Sequence, residues 1–123
     1  PVYPGALPLP VVGVQEQTAD IRYQRFQDCV AVWVNKLGLK DWYVDFKHDQ
    51  EGVDCEAQVE YDRNTRYATF TYYSAAKPSY SIERLAVHEV LHLLLGDLIP
   101  EDCGDDVARE EHRVIERLLH VLL

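Results

Sequence analysis

The sequence carries no surplus of positive charge. Twelve Lys and Arg stand against twenty-one Asp and Glu, a formal net charge of −9. Nucleic acid and anionic membrane surfaces are held by basic patches, so neither is an expected partner. Nor is there a Cys-x-x-Cys pair. The three cysteines, Cys29, Cys55 and Cys103, are odd in number and far apart, which argues against a thiolate zinc site. One disulfide with a free thiol fits that count. However, Cys29 falls at the edge of an apolar helical stripe and Cys55 shares the phase of inward strand residues, so both read as small core side chains. The opening stretch Pro1–Pro10 has no basic segment, and its prolines interrupt every apolar run. It reads as neither a signal peptide nor a membrane span, and a reduced, cytoplasmic protein is the expectation.

What is present is an ordinary globular composition, 47% hydrophobic and 27% charged over 123 residues. That length fits one domain with a modest core. Residues 1–17 read as an extended arm, with a disordered tail as the alternative, and residues 18–123 as the domain itself. Thr18–Leu37 reads as a helix capped by Thr18 or Asp20, buried along Phe26, Cys29, Val30, Trp33, Val34 and Leu37, and ended by Gly38. Leu39–Lys47 alternates as a half-buried strand with Trp42, Val44 and Phe46 inward, and His48–Gly52 is a loop. Cys55–Tyr61 and Tyr67–Tyr73 form a hairpin across the turn residues Asp62–Arg66.

The most informative stretch is Ser81–Gly96, which contains His88-Glu89-Val90-Leu91-His92. Ser81 suits an N-cap and Gly96 a left-handed C-terminal residue, so the stretch is a helix. One turn of helix puts His88 and His92 on the same face, where two imidazoles can reach one metal ion. Glu89 lies beside them, placed to take a proton from a metal-activated water. The helix is apolar on nearly every side, and buried imidazoles and carboxylates need a metal or a hydrogen-bond partner there. Hydrogen-bonded cleft histidines are the plainer alternative.

A third ligand is available downstream. Asp105 and Asp106 are cap candidates for a helix running to Leu123. At about 100° per residue, Val107, Val114, Ile115, Leu118 and Leu122 form one stripe with Glu111 at its centre. A carboxylate there needs a partner, and the metal held by His88 and His92 is the expected one. An Arg or a neighbouring helix end is the plainer partner. His112, at the edge of the stripe, is the reserve ligand if the helix is rotated. The end of this helix is more apolar than one face requires, suggesting a homodimer or another partner.

His88-Glu89-x-x-His92 followed by a Glu on the next helix resembles the gluzincin branch of the zincin metallopeptidases. Glu110–Leu118 is similar to the second helix of small phage-type zinc metallopeptidases. Metzincins would need Gly at Leu95 and His at Leu98. The resemblance implies a minimal zincin-like α+β fold: an N-terminal helix, a mainly antiparallel three-stranded sheet, the His-bearing helix and a ligand helix. It implies Zn²⁺ held by His88, His92 and Glu111, with Glu89 as general base in hydrolysis of a peptide or protein substrate. It also implies an open strand edge, here Tyr67–Tyr73, on which the peptide lies. Tyr72, Tyr73 and Tyr80 are candidates for stabilising an oxyanion. The alternative is a catalytically silent zincin-like metal-binding protein acting through protein–protein interaction.

Overall fold

The computed structural model describes residues 11–100 and 102–123, with side chains from Thr18 onward. The chain is α+β: α1 (Val11–Lys36), β1 (Tyr43–Asp49), β2 (Ala57–Asp62), β3 (Tyr67–Tyr73), α2 (Ile82–Leu95) and α3 (Asp105–Leu122). No helix among the described residues is long and apolar enough to cross a membrane.

Helix α1 begins at Val11, so the second half of the expected arm is helical, and Thr18 and Asp20 lie inside the helix instead of capping it. The physical reason is the proline pattern: Pro10 is the last proline before Lys36, and nothing after it blocks the ladder. Residues 1–10 of the expected arm lie outside the described residues. The other end is as read. Gly38 is left-handed at φ 72°, and the Leu39 and Gly38 amides donate to the Val34 and Asn35 carbonyls, a Schellman closure. Phe26, Val30 and Trp33 are buried, with Cys29, Val34 and Leu37 packed beside them.

The sheet is mixed. Its order is β1-β3-β2, with β1 parallel and β2 antiparallel to β3. The hairpin β2–β3 forms as expected: Asp62 Oδ1 accepts from the Asn64 and Thr65 amides, and Arg66 closes the turn at φ 59°. The return to β1 makes β3 the central strand, which is why Thr71 is buried as well as Ala68, Phe70 and Tyr72. The expectation that Tyr67–Tyr73 offers an open edge is therefore corrected. Both its edges are paired, and β2 is the edge strand against α2. β1 starts later than expected and takes in His48 and Asp49, read as loop. His48 Nε2 lies 2.8 Å from Ser74 Oγ, and its ring stacks on Tyr23. Cys55, expected in the core, precedes β2 and is exposed.

Helix α2 is the central element, with Leu85, Ala86, Val87, Val90, Leu91 and Leu93 buried between α1, the sheet and α3. Ser81 Oγ accepts from the Arg84 amide, the expected cap. Gly96 differs from expectation: its backbone is right-handed, at φ −59°. It is needed for space, since a Cβ there would stand 2.7 Å from the Tyr61 ring. Arg66 ties the periphery together, pairing with Asp41 and Asp97 while lying over the Trp42 ring.

Candidate functional site

The site is built where α3 crosses α2 beside the outer edge of β2. Helix α3 starts from Gly104 without a side-chain cap, so Asp105 and Asp106 sit in its first turn instead, where their charge suits the helix dipole. Its buried residues are Ile115 and Leu119, while Val107, Val114 and Leu122 of the expected stripe are exposed. The inward direction is thus turned by about 50°, half the angle between successive residues. That turn places Glu111 and His112 on either side of it, and both reach α2.

His88, His92 and His112 each bring one ring nitrogen to within 4.8 Å of the others. Nε2 of His88 and Nε2 of His92 are 3.2 Å apart. Two nitrogens at about 2.0–2.1 Å from one tetrahedral ion lie about 3.3–3.4 Å from each other, so this pair is already at ligand spacing. The opposite nitrogens are engaged by oxygens. Nδ1 of His92 lies 3.0 Å from Glu111 Oε2, and Nδ1 of His112 lies 3.0 Å from the Ala108 carbonyl. An accepting oxygen at each of these Nδ1 atoms suits the tautomer that carries its proton there and leaves Nε2 free to bind a metal. Nδ1 of His88 faces Glu116 Oε1 at 3.9 Å. The donor set that converges is therefore three imidazoles. Glu111, expected as the third ligand, lies against the far nitrogen of His92, and the reserve candidate His112 brings its ring to the other two.

Glu89 sits where the motif placed it, next to the cluster and 7% exposed. Burial pushes its carboxyl up to about 8, with the charge of Glu111 adding to the rise and the Val59 amide opposing it. Burial likewise brings His88 down to about 4, helped by the neighbouring His92 and His112. The site therefore favours the neutral forms of both groups.

Val59 is a strand residue, and its bond to Glu89 follows from register. Tyr73 N–H donates to the Glu56 carbonyl at 3.0 Å, and β2 pairs antiparallel with β3. Alternation then turns the main-chain groups of Ala57, Val59 and Tyr61 away from β3 and toward the histidines. These three residues, with His88, His92, His112, Glu89 and Glu111, line a cleft of about 400 Å³.

Of the tyrosines singled out in the sequence, Tyr72 is buried against Phe26 and Tyr73 packs near Gly52, both away from the cluster. Tyr80 lines an adjoining cavity. The phenol that does line the cleft is Tyr61, raised above its ordinary pKa by burial and by Glu111. Its strand alternation read as ordinary core, and only the fold puts its hydroxyl beside Gly96. No protein-family model, no curated protein and no solved structure matches this chain.

Proposed function

We propose that the chain is a zinc-dependent metallopeptidase. His88, His92 and His112 hold the ion, and Glu111 orients His92. The observation that carries this reading is the convergence of three imidazole nitrogens beside a buried carboxylate in a cleft bounded by a strand edge. The donor chemistry fits zinc: neutral imidazoles suit a borderline-soft ion, and the His88–His92 spacing suits a tetrahedral one. Three protein ligands leave a fourth position open, as catalytic sites do.

When bound, zinc supplies a Lewis acid that acidifies water and polarises a carbonyl. The chain supplies the rest. Glu89 takes a proton at the cleft and delivers it to the departing amine, and the Val59 amide holds it in place. The outward main-chain groups of β2 other than the Val59 amide pair with an extended peptide, fixing its carbonyl over the cluster. The strand for this role is Ala57–Asp62 in place of Tyr67–Tyr73.

The test compares wild type with Glu89→Gln on a mixture of quenched fluorescent peptides, each protein zinc-loaded. The expected result is cleavage by wild type, abolished by chelator and restored by zinc, and a fall of about 10²–10⁴-fold in Glu89→Gln at unchanged zinc content. Bound zinc without cleavage of any peptide would instead support the silent metal-binding alternative. A wild type that takes up no zinc sinks both.

A further inference from the structure

Helix α3 is held to the body by little apolar surface. Of its 18 residues Ile115 and Leu119 are buried and Leu118 is partly so, while Val107, Val114, Val121 and Leu122 stay exposed. Helix α1, by contrast, puts Phe26, Val30 and Trp33 into the core with Tyr23, Cys29, Val34 and Leu37 packed beside them. The entry to α3 is equally loose. Gly104 provides no side-chain cap. Past Asp97, which pairs with Arg66, the described residues of the connector make backbone hydrogen bonds only to near neighbours, Leu98 to the Leu95 carbonyl and Cys103 to the Pro100 carbonyl.

The remaining ties between α3 and α2 gather around the histidines. His92 meets Glu111, and Arg84 pairs with Glu116 in a solvent-facing bridge of the kind that contributes little. His112 is exposed and its Nδ1 is engaged by Ala108 of its own helix, so among the described residues no hydrogen bond joins it to α2. Its ring nevertheless stands with its centroid 4.8 Å from that of His92 and 5.6 Å from that of His88. The least buried helix thus carries one imidazole of the cluster, and the most buried helix carries the other two.

We propose that α3 is a clasp, a unit that opens and closes on α2 while the rest of the fold stays intact, and that the ion closes it. The proposal rests on the three-imidazole set put forward above. A helix docked through two buried side chains opens more readily than the core beneath it. An ion bound by His88 and His92 on α2 and by His112 on α3 favours the closed state over the open one, so docking and metal affinity rise together. The consequence reaches the substrate cleft. Glu111 and His112 form part of its wall, so the cleft exists only when α3 is closed.

Hydrogen exchange followed by mass spectrometry, on the full chain with zinc and after its removal, reads this equilibrium segment by segment, with zinc content measured in parallel. In the metal-free chain residues 113–119 should exchange at least about tenfold faster than residues 85–93 of α2. Free zinc at about 100 times its Kd should slow residues 113–119 by about 100-fold. His112→Ala, at an exposed position, should leave the metal-free exchange of α2 as in wild type and remove the effect of zinc on α3. Exchange of α3 as slow as that of α2 in the metal-free chain overturns the proposal. So does bound zinc that leaves α3 unchanged, or a slowing that survives His112→Ala. Zinc-dependent slowing in a protein that cleaves no peptide upholds the clasp and overturns the peptidase reading, and cleavage without that slowing does the reverse. A chain that takes up no zinc overturns both.

Discussion

Glu111 Oε2 lies 3.0 Å from Nδ1 of His92, on the opposite side of the ring from the nitrogen that faces His88. A carboxylate in that position cannot share the point at which the Nε2 atoms meet. It fixes the tautomer and orientation of an imidazole instead. The proposed three-imidazole set rests on this placement, and measurements of zinc distinguish it from the two-His, one-Glu set.

If Glu111 orients and His112 ligates, the two substitutions differ in kind. His92→Ala and His112→Ala should abolish stoichiometric zinc. Glu111→Gln should keep zinc at saturation and weaken affinity by about 10–100-fold. Elemental analysis of protein purified without metal-affinity resin, with competition against a chromophoric chelator, measures both. Full zinc in His112→Ala together with none in Glu111→Gln would restore the two-His, one-Glu set.

The metal-free protein should lose stability between pH 6.5 and 8. The Glu89 carboxyl rises from about 4.5 to about 8 on folding, so its contribution is complete at low pH and is lost as pH climbs to about 8. His88 falls from 6.5 to about 4, so its contribution is complete above 6.5 and is lost as pH drops to about 4. Between about 4.5 and 6.5 the two slopes oppose each other, and above 6.5 only Glu89 acts. Unfolding in denaturant should show a decline of about 2 kcal/mol over that upper window, level beyond it. Glu89→Gln should flatten the curve, and an equal decline in that variant would assign it to another group.

Gly96→Ala should destabilise by about 1–3 kcal/mol, because its Cβ would lie 2.7 Å from the Tyr61 ring. The effect should shrink to a few tenths of a kcal/mol when Tyr61 is first replaced by Ala, as a double-mutant cycle would show. Because Tyr61 lines the cleft, the single substitution should also weaken zinc uptake.

Gly38→Ala tests a different cause. Nothing lies within 4 Å of a Cβ there, but φ is 72°. The penalty is backbone strain alone, about 1–2 kcal/mol, and Asn should recover part of it. Zinc affinity should be unaffected. A loss of stability as large as that in Gly96→Ala, together with loss of zinc, would mean that the end of α1 is coupled to the site.

The readable features were those that depend on neighbours in sequence. The Ser81 cap, the helix carrying His88 and His92, the bounds Tyr67–Tyr73 and the left-handed stop at Gly38 each follow from a few adjacent residues acting through local sterics and hydrogen bonds. The position of Glu89 beside the histidines follows from helix geometry alone. The start of α1 is not legible in the sequence because the run Val11–Gln17 carries no strong signal of either kind, and with no proline after Pro10 the helix extends through it.

What tertiary structure decided is everything set by pairing distant segments. Strand alternation fixes which side chains share a face, but not which strand lies in the middle. The parallel partnership of β1 with β3 joins segments far apart in sequence, and it puts the open edge at Ala57–Asp62 instead of Tyr67–Tyr73. Periodicity located an apolar stripe on α3 only to within a residue's rotation. Packing of Ile115 and Leu119 against the core settled it, and with it how Glu111 and His112 are placed against His88 and His92. The sequence by itself determined a helix bearing two imidazoles and a carboxylate. Which third imidazole meets them, and which strand edge faces them, was fixed by contacts between segments that no local rule connects.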